Sequence, residues 1–284
     1  MKKKILLVTI MLMAMTASAV VQEKIFEIHD TLDTNQTVVR ELVQIPIAEV
    51  TESSSKNNWG QALKESPIHF ALDLQTKYVW RGMEMMTQKS SPVLFPSVNY
   101  SWKSIYVYAM GGYALNGEYA EVDLGVSYAW KGLTIGFNDY YYPSIDTNKD
   151  NYFGGKNTGH WLEVTLTYAP EKIPVWITAS NFFYGPDKYV DENGNEKQAY
   201  STYMEIGAYY DFLDNNRVSV AVGTAFNKSC YNGYEKNFSV CNIEGKYTYN
   251  VKVKDDWTLP LSVSYIYNPV YDKSFVNFTA NIAF

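Results

Sequence analysis

Residues 120–130 read Ala120-Glu-Val-Asp-Leu-Gly-Val-Ser-Tyr-Ala-Trp130. Ala120, Val122, Leu124, Val126, Tyr128 and Trp130 fall on one parity; Glu121, Asp123, Gly125, Ser127 and Ala129 fall on the other. A period of two is that of a β-strand with two unlike faces, whereas an amphipathic helix repeats near 3.6. The same alternation recurs on either side. Phe70, Leu72, Leu74, Thr76, Tyr78 and Trp80 oppose Ala71, Asp73, Gln75, Lys77, Val79 and Arg81. Leu162, Val164, Leu166 and Tyr168 oppose Trp161, Glu163, Thr165 and Thr167. Met204, Ile206, Ala208, Tyr210 and Phe212 oppose Tyr203, Glu205, Gly207, Tyr209 and Asp211. Further segments at 91–102, 105–115, 133–142, 175–184, 217–227, 241–253, 257–267 and 275–284 bring the total to twelve. In 105–115 and 175–184 both parities are apolar or aromatic. A slip of one residue exchanges the faces, so these two leave their facing open.

The connections alternate in length. Residues 102–104, 131–132, 170–174, 214–216 and 252–256 are short. Ser144 to Gly159, Gly185 to Gln198 and Asn227 to Asn242 are long and polar, and Asn116-Gly117 is a tight hairpin signal. Short periplasmic turns alternating with longer outer loops suit an antiparallel up-and-down transmembrane β-barrel, all-β, with twelve strands. Closure follows from the solvent: in lipid every backbone donor and acceptor needs a partner, and an open sheet edge leaves a row of them without one.

Alternation does not say which face is inside; composition does. Of 284 residues, 46% are hydrophobic and only 19% charged, and most of the 25 Tyr, 13 Phe and 7 Trp fall in the repetitive body. Such a chain is too aromatic for disorder. It also lacks, beyond its first residues, the run of about 20 apolar residues that a spanning helix needs. Tyr78, Trp80, Tyr128, Trp130, Tyr140, Tyr141 and Trp257 lie near segment ends, where interfacial girdles are expected. The last segment alternates Val276, Phe278, Ala280, Ile282 and ends on Phe284. It resembles the C-terminal signal by which outer-membrane proteins are recognised by the barrel assembly machinery.

Residues 1–19 read as a secretory signal peptide. Lys2, Lys3 and Lys4 precede an apolar run from Ile5 to Met15, and Ala17-Ser18-Ala19 is a small-residue cleavage site. Removal of the three lysines takes the formal charge from −6 to −9. No basic patch supports nucleic-acid binding. Residues 20–67 lack regular alternation and are read as a poorly ordered periplasmic segment, or one that folds back as a plug; residues 68–284 form the barrel. The expected location is the outer membrane of a Gram-negative cell, with membrane lipid as surroundings. Cys230 and Cys241 are a disulfide candidate in an oxidising compartment, against the alternative of two unrelated thiols.

With apolar parities outward, the lumen set is Asp73, Lys77, Arg81, Glu121, Asp123, Glu163, Glu205 and Asp211. An acid-rich wall with cations gathered on the first strand favours cations or small neutral hydrophilic solutes. Arg81 is expected at the pore mouth, paired with a lumen carboxylate such as Glu121 or Asp123, or attracting anions. Hydrolysis finds no constellation. His29 lies in the N-terminal segment, His69 and His160 at opposite ends of the body, and neither Gly-x-Ser-x-Gly nor His-Glu-x-x-His occurs. The loop Asp187 to Lys197, with Asp191-Glu-Asn-Gly-Asn195, is acidic but lacks EF-hand spacing. No cofactor or metal is expected. The competing class is a non-conducting barrel whose outer loops bind a partner, as an adhesin or receptor does.

Residues Asp73-Leu-Gln-Thr76-Lys-Tyr78-Val-Trp80-Arg81-Gly82 match the pattern D-x-x-[ST]-x-Y-x-[WF]-R-G. A polar loop and a Pro-containing second strand follow, Pro92-Val-Leu-Phe-Pro96-Ser-Val98. In this the chain resembles the TorF-type porin family. The motif covers the first hairpin only, and Gly111-Gly112 with Gly125 are a partial match to the glycines usual in the next strands. The resemblance implies an outer-membrane diffusion barrel, a class rather than a solute.

Overall fold

The computed structural model describes residues 66–86, 90–143, 152, 159–254 and 257–283. The expected signal peptide, nearly all of the 20–67 segment and Phe284 lie outside them. The wall strands are β1 (Ile68–Gln75), β4 (Val93–Trp102), β5 (Ile105–Ala114), β6 (Ala120–Trp130), β7 (Leu133–Tyr141) and β8 (His160–Tyr168). They continue with β9 (Val175–Tyr184), β12 (Thr202–Phe212), β13 (Asn216–Ala225), β14 (Ser239–Lys254), β15 (Trp257–Asn268) and β16 (Lys273–Ala283). Two hairpins stand apart from the wall: β2 (Val79–Trp80) with β3 (Met83–Glu84), and β10 (Lys188–Val190) with β11 (Glu196–Gln198). The wall is a closed barrel of twelve antiparallel strands, each paired with its neighbour in the chain and β1 closing on β16. It is the all-β, up-and-down architecture that the alternation implies.

The parities fall as expected on β1, β6, β8 and β12. Ala71, Asp73, Glu121, Asp123, Glu163, Thr165, Tyr203 and Glu205 are buried inside, while Phe70, Leu124, Val126, Leu166, Met204 and Ile206 are exposed outside. The outer face is therefore an apolar belt, as lipid requires of a membrane-spanning barrel. Aromatics flank it at both ends. At the short-turn end Trp102 and Trp130 are 51% and 58% exposed, and Lys103 and Lys131 lie over their rings at 4.7 and 5.1 Å. At the long-loop end Phe226 and Phe238 meet edge to face, 5.4 Å apart, near exposed Tyr200.

The two open segments resolve. Tyr108, Met110 and Ala114 of β5 and Thr178, Ser180 and Phe182 of β9 are the buried, inward set. On this side of the lumen aromatics lie over glycines of adjacent strands. A Cβ at Gly125 would sit 2.0 Å from the Tyr108 ring, and one at Gly207 would sit 2.1 Å from that of Trp176. Tyr108 is pinned there by its hydroxyl, which donates to Asn138 Oδ1 at 3.2 Å.

One segment departs from the expectation. The first strand leaves the wall after Gln75 rather than running to Arg81. Thr76 and Lys77 bond instead to β16: Thr76 N to the Phe278 carbonyl at 2.9 Å and Lys77 N to Asn277 Oδ1 at 3.0 Å. The Thr76 hydroxyl accepts from Phe278 N at 3.0 Å, so a side chain completes the ladder where the backbone turns away. Beyond it the chain folds inward as the β2–β3 hairpin.

Gly125→Val should cost about 1–3 kcal/mol by forcing a branched side chain into the Tyr108 ring. A lower urea midpoint for the refolded barrel, partly restored by Tyr108→Ala, is the expected result; an unchanged midpoint would contradict the packing.

Candidate functional site: a stoppered lumen

The inward hairpin is built on a two-residue turn. Val79 pairs with Glu84 and Trp80 with Met83, leaving Arg81 (φ 49°) and Gly82 (φ 80°) at the tip. Positive φ at both central residues is the type I′ turn that matches strand twist. Glycine adopts it freely; arginine does so at a cost of about 1–2 kcal/mol, which its contacts must offset. Gly82 is also needed for space, since a Cβ there would lie 2.1 Å from the Cys241 carbonyl oxygen of β14.

Arg81 is buried in the lumen. Its Nη1 donates to Glu163 Oε1 at 2.5 Å and its Nη2 to Glu163 Oε2 at 3.1 Å, a bidentate pair with β8. Nη2 also donates to Ser180 Oγ of β9 at 3.0 Å, and Nη1 to the Tyr231 hydroxyl at 2.5 Å. The guanidinium carbon lies 4.3 Å from the Trp80 ring centroid and 4.8 Å from that of Tyr203. On the far side Asn268 Nδ2 of β15 donates to the Gly82 carbonyl at 3.0 Å. β8 and β15 stand five places apart around the ring of twelve, so the hairpin crosses the lumen.

Two aromatic clusters receive the inserted segment. Tyr78 and Met86 pack with Phe95, Tyr108, Met110 and Tyr119. Trp80 and Met83 pack with Tyr140, Trp161, Phe182, Tyr203 and Tyr231. Tyr231 comes from the loop between β13 and β14, where a single 3-10 turn (Cys230–Asn232) points it inward. The turn is held by Asn232, whose amide donates to the carbonyls of Asn227 at 2.9 Å and Lys236 at 2.8 Å. Asp187 braces the loop from outside, accepting from Ser201 N and Oγ at 2.7 and 2.6 Å, while Ser201 Oγ accepts from Cys230 N at 2.9 Å. Burial pushes the Asp187 carboxyl above its usual range. At this level Glu121, Glu163 and Tyr231 have no exposed surface, so among the described residues the lumen is packed shut around them.

The expected lumen residues are placed as follows. Glu163, and not Glu121 or Asp123, is the partner of Arg81. Glu121 accepts from the Tyr119 hydroxyl, but its Oε1 and Asp123 Oδ1 have no partner among the described residues. Glu205 is held by Tyr203 Oη at 2.6 Å and Trp176 Nε1 at 3.1 Å. Asp73 accepts from Asn281. Lys77 pairs with Glu84 at 2.7 Å, bracing the base of the hairpin and not the wall. Asp211 pairs with Arg217 at 2.5 Å at the short-turn mouth. The register adds Glu244 and Lys246, which sit opposite inward Ala221 and Ser264.

Among the expected interfacial aromatics, Tyr128 and Trp130 face outward near the short-turn rim, and Trp257 starts β15 at that end. Tyr78, Trp80 and Tyr140 do not face lipid. The first two turn inward with the hairpin, and Tyr140 donates to Glu163 Oε2 at 2.9 Å. Tyr141 is buried, 4.8 Å from the Tyr152 ring and 4.6 Å from that of His160. His160 has both ring nitrogens against oxygens, Asp139 Oδ1 at 2.8 Å and the Tyr152 carbonyl at 2.7 Å. The acidic loop is the β10–β11 hairpin. Asp191 caps its turn, accepting from the amides of Asn193 and Asn195 at 2.9 Å each and pairing with Lys197 at 2.7 Å.

The expected disulfide is absent: Cys230 and Cys241 are free thiols. Cys230 heads the turn that carries Tyr231, whereas Cys241 Sγ faces the Gly223 carbonyl of β13 at 3.7 Å.

Among solved structures the chain is similar to the NanC porin (11% identity, covering 76% of this chain and 98% of that chain, TM-score 0.45). It is also similar to the KdgM porin (8%, 76% and 97%, TM-score 0.40) and to the outer membrane channel DcaP of Acinetobacter baumannii (16%, 75% and 71%, TM-score 0.31). No protein-family model and no curated protein matches the chain.

Alkylation of the unfolded, unreduced protein should add a label at both cysteines by mass spectrometry; an unlabelled chain would mean that the thiols are joined. In the folded protein Cys230 should label slowly, because burial pushes its thiol up and leaves little thiolate.

Proposed function

We propose that the chain is an outer-membrane, porin-like channel for passive diffusion of small hydrophilic solutes, exported through a cleaved signal peptide. Its lumen favours cations and stands closed while the β2–β3 hairpin is inserted. The observation that carries this is a polar, acid-rich lumen wall inside an apolar belt, crossed by a hairpin and not by a wall strand. Asp73, Glu121, Asp123, Glu163, Glu205 and Glu244 line the lumen together with the cations Arg81 and Lys246. Such an excess of carboxylates concentrates cations. The resemblance of Asp73–Gly82 to the TorF-type porins agrees with this class. In this chain the motif spells the end of β1, the inward turn and the latch.

A second reading is a non-conducting barrel whose long loops bind a partner. It is favoured by the occlusion itself and by the ordered β10–β11 hairpin, which displays an exposed Val190.

Planar bilayer recording separates the two. Wild-type protein should pass little current. Arg81→Ala should raise the open probability by roughly 100-fold or more, since removing one partner of a buried pair costs about 3–5 kcal/mol. Reversal potentials in a salt gradient should show cation preference. Silence of both proteins would favour the binding module, and anion preference would overturn the lumen assignment.

A further inference from the structure

We propose that the cage around Arg81 is a binding site for guanidinium-bearing solutes, and that Arg81 is its tethered occupant. The inference deepens the channel reading and rests on it for the hairpin's withdrawal.

Apart from Trp80, whose ring lies 4.3 Å from the guanidinium and moves with the hairpin, the cage is built by the barrel and its loop. Glu163 comes from β8, Ser180 from β9, Tyr203 from β12 and Tyr231 from the loop after β13. Its carboxylate is oriented without Arg81: Oε2 also accepts from the Tyr140 hydroxyl at 2.9 Å and from Thr165 Oγ1 at 3.1 Å. Thr165 Oγ1 and Ser180 Oγ are 3.3 Å apart, so the second acceptor is tied to the first. These bonds leave Glu163 poised to take a two-pronged donor whether or not the chain supplies it.

The chemistry selects a planar fork. Two parallel N–H groups meet the two carboxylate oxygens, a third meets Ser180, and the ring of Tyr203 covers one face at 4.8 Å. An ammonium group offers a point charge that cannot match both oxygens and a ring face together. With Arg81 withdrawn, Glu163 would keep its orienting bonds to Tyr140 and Thr165 but lose its cation, leaving both carboxylate oxygens open to a solute's guanidinium. Arg81 is also a weakened competitor, because its own backbone sits at φ 49°. A free guanidinium compound bears no such strain.

The test is binding to the purified barrel in detergent micelles, followed by calorimetry and by tryptophan fluorescence, with folding checked by heat-modifiable gel mobility. Arg81→Ala should bind methylguanidinium roughly tenfold or more tightly than methylammonium, as expected for a bidentate site. Wild-type protein should bind it at least roughly tenfold more weakly than the variant, because its site is filled. Arg81→Ala with Glu163→Gln should bind neither. If Arg81→Ala does not fold, Arg81→Lys takes its place with the same expectations. Absence of binding to the folded variant, equal binding of both cations, or equal binding by wild type would each overturn the proposal. Binding by a variant that stays silent in bilayers would overturn the channel and leave the site. Conduction without binding would do the reverse.

Discussion

A guanidinium and a carboxylate held together away from water govern how this barrel is filled. Neither Arg81 nor Glu163 is stable in the lumen core alone, since an unpaired buried charge costs several kcal/mol. Together they form a bidentate pair that needs every neighbour in place: Ser180 and Tyr231 take two further guanidinium protons, and Tyr140 and Thr165 fix the carboxylate. The hairpin, the inward turn of the β13–β14 loop and the Asp187 brace behind it all serve to bring those groups to one point.

The barrel resolves two solvent demands. Lipid outside asks for an apolar face and complete backbone pairing, met by closure and by Leu, Val and Ile on the outward parity. Twelve strands leave a narrow interior that side chains can fill. Here they fill it: Phe95, Tyr108 and Met110 on one side and Phe182, Tyr203 and Tyr231 on the other clasp the inserted segment. Glycines at 125 and 207 let aromatic rings lie flat against the wall, so occlusion is achieved without widening the ring of strands.

Much of this was legible in the residues. All twelve wall strands and the facing of β1, β6, β8 and β12 follow from period two, because lipid outside and acids inside make the parities unlike. The facing of β5 and β9 was not legible, and the reason is the stopper. Their inner residues, Tyr108, Met110 and Phe182, are apolar because they pack on the hairpin, so both parities look alike. Thr76, Tyr78 and Trp80 continued the alternation of the first strand past its true end, which hid the departure from the wall. The signal for it was Arg81-Gly82 between two residue pairs, a two-residue turn that can equally close a wall hairpin. Tyr231 carried no local sign of its lumen position, because a loop's return into a barrel is decided by partners far away in sequence.

The latch can be observed directly in lipid. Solid-state NMR of uniformly labelled protein in bilayers measures the transfer between the Arg81 guanidinium nitrogens and the Glu163 carboxyl carbon. A hairpin locked across the lumen predicts a strong direct contact, lost in Glu163→Gln at the labelled position. Absence of that contact in folded wild-type barrel, with the Arg81 guanidinium exchanging freely with water, would contradict the stoppered lumen on which the rest depends.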